Sequence, residues 1–196
     1  MEWRHPDLTA NRCPFPFLDD ALETKAAYRE SRIKTYGFQR IAGLSLLRMT
    51  VHSEDMESLG EAFCRLGEAG ADFLLVFSQR RGQASEVCLV VTAQWARVIE
   101  DRVEEFLAGT DKAVRPGVPA EMVFFQGPHF GDRYGILEAA VRGLAARRVK
   151  MTAAACSGSC IYIVLPEGKS EEAVAALSEV FEIPRASTLK QSATRG

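Results

Sequence analysis

No apolar run in this chain approaches the ~20 residues needed to cross a bilayer. The first thirty residues hold Arg4, Asp7, Arg12, Asp19, Asp20, Glu23 and Lys25, with no apolar stretch of the kind that opens a secretory leader. Neither a membrane partner nor export is expected, and the expected location is cytoplasmic. An excess of charge of one sign is also missing. Twenty-four basic residues face 26 acidic ones, for a net charge of −2, and the basic residues are scattered. That leaves no field favouring nucleic acid. The densest basic run, Arg147-Arg148-Val149-Lys150, stands at the expected end of a helix, where cations suit the helix dipole.

Histidine is scarce, at three residues. His5, His52 and His129 lie far apart, and none has a metal-ligand spacing. A phosphate loop of the GxxxxGK[ST] kind is missing, and no base is placed by spacing beside a serine or cysteine nucleophile. No catalytic residue, metal or cofactor is therefore expected. The five cysteines are odd in number and irregularly spaced, which argues against a disulfide framework. Cys64 and Cys88 fall in patterns that read as core helix and core strand, where cysteine acts as a small hydrophobe. Cys156 and Cys160 flank Ser157-Gly158-Ser159, which reads as a hairpin turn. Closing a structural zinc site takes four ligands, whereas the nearest histidine in sequence is His129 and Cys13 lies in the N-terminal segment.

What is present is order from residue 32 onward. Residues 1–31 contain Pro6, Pro14 and Pro16, and their Pro-Phe-Pro-Phe stretch is extended, because proline fixes its own φ and biases the residue before it. This segment reads as an arm. Next come a short strand over 33–38 and a second over 44–51, with Leu47, Met49 and Val51 alternating against Arg48 and Thr50. Met56, Leu59, Phe63 and Leu66 make a helical stripe, with Ser53 or Asp55 as its cap and Gly70 at its stop. Phe73–Phe77 and Val87–Val91 are strands joined by the turn Arg80-Arg81-Gly82-Gln83. Trp95, Ile99, Val103 and Phe106/Leu107 mark a second helix. The order then repeats: a strand over 122–125, a Gly-rich loop over 127–132, a helix through Ile136, Ala140 and Leu144, strands over 149–155 and 161–165, and a last helix through Ala173, Leu177 and Phe181 with Ser170 as its cap.

The two copies superpose in sequence. At an offset of 78, Leu59, Ala62, Phe63 and Leu66 meet Leu137, Ala140, Val141 and Leu144; at 74, Val103, Phe106 and Leu107 meet Leu177, Val180 and Phe181. The change falls in the hairpin turn, where insertions cost least. The expected fold class is α+β: two tandem ferredoxin-like βαββαβ units with antiparallel sheets and helices on one face. Fourth strands are expected near 112–115 and 183–189. The expected domains are an arm over 1–31, a first unit over 32–118, a second over 119–190 and a tail over 191–196.

These residues resemble the regulatory region of aspartate kinases, a pair of ACT domains. Residues 121–183, from Glu121-Met122-Val123-Phe124-Phe125-Gln126-Gly127-Pro128-His129 through Phe181-Glu182, are similar to its second ACT domain, with Tyr134-Gly135-Ile136 where the family has Pro-Gly-Val opening the first helix. Residues 32–109 resemble its first ACT domain, and Ile33-Lys34-Thr35-Tyr36-Gly37-Phe38 sits at its opening strand. The loop His52-Ser53-Glu54-Asp55-Met56-Glu57-Ser58 departs from the family's Asp-x-Pro-Gly-type turn. The family's Gln-Asn pair appears only as Ser78-Gln79, and its Asn-Ile-Glu segment reads Lys150-Met151-Thr152. No kinase domain is seen in the sequence, so the phosphorylating activity is not carried over.

The resemblance implies a regulatory protein that binds a small amino acid, pairs as a homodimer and acts on a partner enzyme. The strand-to-helix loops are where an amino acid fits, since helix N-terminal N–H groups suit its carboxylate and acceptors suit its ammonium. In the first copy these are Ser53, Glu54, Asp55 and Met56, walled by Ser78 and Gln79. In the second they are Gly127, His129, Gly131, Asp132, Arg133 and Tyr134. The plainer reading of the same residues is caps and turns. Two alternatives stay open: a ligand-free module that docks on a partner enzyme, and a thiol enzyme or redox sensor using Cys156 and Cys160.

Overall fold

The protein was analysed as a computed structural model, which describes residues 32–106, 114–131 and 133–183; the arm over 1–31 and the tail over 191–196 lie outside them. The described elements are β1 (Ile33–Lys34), β2 (Phe38–His52), a 3-10 turn (Ser53–Asp55), α1 (Met56–Glu68), β3 (Phe73–Arg81), β4 (Ala84–Thr92), α2 (Ala93–Phe106), β5 (Val114–Gln126), α3 (Ile136–Ala146), β6 (Ala153–Ser157), β7 (Cys160–Pro166), α4 (Ser170–Val180) and β8 (Phe181–Glu182). A six-stranded antiparallel sheet in the order β3-β4-β2-β5-β7-β6 carries the fold, beside a parallel pair of β1 with β8. Both βαββαβ units are present. β2-α1-β3-β4-α2-β5 makes the first lobe, and β5-α3-β6-β7-α4 makes the second.

The lobes share their two longest strands. The second half of β2 opens the first lobe, while its first half, Phe38–Ile41, lies against Phe125–Met122 of β5 as the fourth strand of the second lobe. The start of β5 returns the exchange. Val114 pairs with Met49 and Arg115 with Arg48, which places the first lobe's fourth strand near its expected position. The second lobe differs from expectation. Among the described residues the strand beside β5 at that place is Phe38–Ile41; Ile183 is outside any strand and 46% exposed, and the rest of the strand expected over 183–189 lies outside the described residues. Phe38 explains the substitution, because its ring packs edge-on to Phe125 and Phe181, at 5.1 and 6.2 Å. The boundary expected at 118/119 falls inside β5, which serves both lobes.

Alternation along the strands builds three cores. Leu47, Met49 and Val51 of β2, with Leu89 and Val91 of β4, meet Leu59 and Leu66 of α1 and Ile99 and Val103 of α2. Val123 and Phe125 of β5, with Ile161, Ile163 and Leu165 of β7, meet Ile136 and Leu144 of α3 and Ala173 and Leu177 of α4. The third core lies on the face without helices, where Leu44, Leu46, Val90, Met122 and Val164 are at most 2% exposed. A flat sheet would leave that face in water. Here register shifts between Ile41 and Leu44 and between Leu46 and Arg48 bend β2. Phe77 of β3 and Ala153 of β6, on opposite edges, then join one cluster. The helix-free face folds on itself. Cys88 is buried there as expected, whereas Cys64 is exposed, because it lies one residue past Phe63 and about 100° around α1 from it.

Candidate functional site

In the first lobe the expected loop is open. β2 ends at His52, the 3-10 turn over Ser53–Asp55 leads into α1, and neither junction has a side-chain cap hydrogen bond. Ser53 and Glu54 are exposed, Asp55 is half-buried and Met56 is 40% exposed. His52, Ser53 and Glu54 line a cleft of 290 Å³ with Arg80 and Gln83 from the β3–β4 hairpin. Arg80 Nε donates to the Gly82 carbonyl at 3.1 Å, which holds its guanidinium over the turn. The expected wall was Ser78 and Gln79. These neighbours pair with Val87 and Glu86 and so point to opposite faces of the sheet. Gln79 faces the helix-free side, where it lines a different cleft. The wall is made instead by Arg80 and Gln83, which lie at the end of the hairpin where the loop lies. Sequence reasoning assigned both to the turn alone.

In the second lobe the corresponding loop is filled. A Cβ on Gly127 would run into the Lys34 carbonyl oxygen, the Phe130 ring and the Thr35 backbone. Its glycine serves close packing against the β1 segment. Thr35 is 0% exposed, its hydroxyl donates to the Gln126 carbonyl at 2.7 Å, and its N–H donates to the Glu182 carbonyl at 2.9 Å. Phe130 is buried against Phe125 and Phe181, with ring centroids at 5.8 and 6.5 Å. His129 takes a positive φ of 64° and its carbonyl accepts from Arg133 N at 2.8 Å. His129 and Gly131 are exposed, and Tyr134 is 97% exposed. Asp132 lies outside the described residues. These groups form a turn around a buried phenylalanine, so the candidate residues of the two loops do not form equivalent sites.

A buried carboxylate was missed by sequence reasoning. α4 was expected to carry Ser170 as its cap, but Ser170 is its first helical residue, and no side-chain cap bond is made from Lys169 before it. Glu121 of β5 does the work across 49 residues: its carboxylate accepts from Ser170 N at 2.7 Å. The Ser170 hydroxyl, with the N–H groups of Ser170, Gly168 and Lys169, holds the Glu121 carboxyl below its ordinary value against the opposing push of burial. No local signal announces a cap delivered from a neighbouring strand.

The cysteine pair is separated by the pleat. Cys156 lies opposite Ile161, a residue of the second lobe's helix-side core, whereas Cys160 shares the other face with Tyr162 and Val164. Burial, with the nearby Cys160, pushes the Cys156 thiol up, which disfavours the reactive thiolate. Among the described residues, no group of three or more His, Cys, Asp or Glu side chains is placed to hold a metal ion, and no helix is long and apolar enough to cross a membrane.

The shared strands and the βαββαβ order of both lobes define a fold class, two tandem ferredoxin-like βαββαβ units. Neither a family model nor a curated protein matches the sequence. Solved structures match the fold. The regulatory subunit of aspartate kinase from Thermus thermophilus, in a ligand-free form, superposes with a TM-score of 0.63 at 17% identity, over 76% of this chain and 99% of that one. Its Thermus flavus counterpart gives 0.63 at 16%, over 75% and 98%. The aspartate kinase from Synechocystis gives 0.65 at 16%, over 76% of this chain but 27% of that one. The likeness is therefore to a whole regulatory subunit and to only part of a kinase, and the fold expected from the sequence is the fold observed.

Proposed function

We propose that this chain is a non-catalytic regulatory protein that binds one small amino-acid effector, at the first lobe's β2–α1 junction, and modulates a partner enzyme of amino-acid metabolism. The observation that carries the reading is the cleft itself: 290 Å³, lined by Glu54 and Arg80 together with His52, Ser53 and Gln83. Arg80 suits a carboxylate, and Glu54 suits an ammonium. The likeness to aspartate kinase regulatory subunits supports regulation. The protein acts as a cytoplasmic homodimer in this reading. Support for pairing comes from the exposed apolar side chains of the first lobe, among them Val76 on edge strand β3 at 49% and Val118 at 55%.

A second reading is favoured by the filled loop at Gly127 and Phe130. If neither lobe takes an effector, the chain is an ACT-type module that docks on its partner enzyme. A thermal-shift screen of the twenty amino acids separates the two. Ligand at ~100 times its dissociation constant adds about 2.7 kcal/mol, or roughly 2–4 °C per kcal/mol for a chain of this size. The expected result is a shift with one amino acid or a few, lost in Arg80→Gln and in Glu54→Gln. A flat response to all twenty leaves docking as the function. Sedimentation as a monomer at micromolar concentration would defeat the homodimer.

A further inference from the structure

The fold of the sheet on itself creates a polar seam away from that junction. Arg48 lies opposite Cys88, and Gln79 opposite Glu86, in the strand register, so all four share the helix-free face. There they meet Thr152 and Ala153 at the head of β6, on the far edge of the sheet, around a cleft of 420 Å³ that also takes in Arg81. β3 and β6 are not hydrogen-bonded to each other in the sheet. Arg48 bridges the gap by donating from a terminal nitrogen to the Thr152 carbonyl at 3.2 Å. Its Nε is buried and has no hydrogen-bond partner among the described residues. The guanidinium also lies beside the Cys88 thiol, which burial pushes up and Arg48 draws down, and the complement of a guanidinium lining a cleft is an anionic oxygen. Arg81 Nε lies 3.0 Å from a Glu86 carboxylate oxygen, so two guanidinium groups and one carboxylate leave the cleft one positive charge in excess. Phe77 and Ala153 supply apolar wall.

We infer that this seam is a second ligand site, for a small carboxylate whose oxygens accept from the Arg48 and Arg81 guanidinium groups that line the cleft and whose carbon chain lies along Phe77 and Ala153. Glu86 works against a dianionic phosphate and receives the ammonium if the carboxylate belongs to an amino acid. The occupant fastens two sheet edges that share no backbone hydrogen bonds and so ties one lobe to the other. Arg80 and Arg81 are consecutive on β3 and point to opposite faces, so one strand end arms both clefts. The inference stands apart from the amino-acid reading of the β2–α1 junction.

Calorimetric titration of the full chain with succinate tests it, because succinate lacks the ammonium that the junction cleft is built to take. Succinate should bind, and Arg48→Gln should weaken it by about tenfold or more, as expected for loss of a hydrogen bond to a charged group. Thr152→Trp, which fills the cleft from an exposed position, should weaken it similarly with the fold intact by circular dichroism. Displacement of succinate by L-glutamate assigns the site to amino acids, and lack of displacement assigns it to ammonium-free acids. Absence of succinate binding, full binding in Thr152→Trp, or equal binding of inorganic phosphate would each overturn the inference.

Discussion

The two strand-to-helix junctions descend from one pattern and have reached opposite states. In the first lobe the loop after β2 is polar, uncapped and open, with Glu54 and Arg80 across a cleft. In the second the loop after β5 is closed on Thr35 and packed with Phe130. The difference has a topological source. The segment leading into β2 runs beside the end of β5, where Tyr36 N donates to the Gln126 carbonyl, and β1 pairs with β8. The segment at Lys34 and Thr35 therefore packs on the loop after β5.

The comparison breaks first at Phe130. Phe130→Ala should cost about 3–5 kcal/mol, as for other buried Phe truncations, read from urea unfolding. Ser53→Ala, at the matching loop of the first lobe, should stay within about 0.5 kcal/mol. Equal effects would mean that the two loops are packed alike. Gly127→Val comes next, at about 1–3 kcal/mol, because its side chain meets backbone at Lys34 and Thr35 as well as the Phe130 ring. A neutral Gly127→Val would show that the segment before β2 does not seal the loop.

The lobes also differ in how their second helices begin. Glu121 lies opposite Leu165 and caps α4. Ser45, opposite Val91, holds the matching place in the first lobe and is likewise buried. Glu121→Gln should cost about 1–2 kcal/mol at pH 7. The sign of its pH dependence follows from the lowered carboxyl. Such a group contributes stability above its unfolded-state pKa and loses that contribution as pH falls through the ordinary carboxylate range toward its folded value. Urea midpoints from pH 7 to about pH 3 should therefore fall more steeply for the wild type than for Glu121→Gln. Parallel slopes would remove Glu121 as an ionised cap.

How much was legible in the sequence follows from the range over which each signal acts. Helical stripes such as Leu59–Leu66 and Ile136–Leu144 are local, and both helices stand where their spacing put them. The duplicated βαββαβ order was read from the same periodicity. What escaped is non-local. Arg48 alternates with Leu47 and Met49 and so reads as a solvent-facing residue, yet the bend of β2 turns its face inward against Thr152. Ser78 and Gln79 stand where the resemblance puts a Gln-Asn pair, and the pleat sends the two to opposite faces. Gly127 reads as ligand-approach glycine or as turn glycine equally well until the segment at Thr35 is seen against it.

The smallest effect is expected at the feature that looked most chemical in the sequence. Cys156 and Cys160 are close in the chain, but the β6–β7 hairpin sets their side chains on opposite faces of the sheet. A disulfide needs its Cβ atoms about 3.5–4.5 Å apart and directed at each other, which opposite faces do not allow. The Cys160 thiol is instead engaged by hydrogen bonding with Tyr162, an interaction that pushes the tyrosine hydroxyl up. Cys156→Ser and Cys160→Ser should each change stability by less than about 0.5 kcal/mol, since both positions are outside the fully buried core. Mass spectrometry after mild oxidation should find no Cys156–Cys160 crosslink. Finding that crosslink in the folded protein would require the hairpin to twist out of its register, and it would return a redox role to the second lobe.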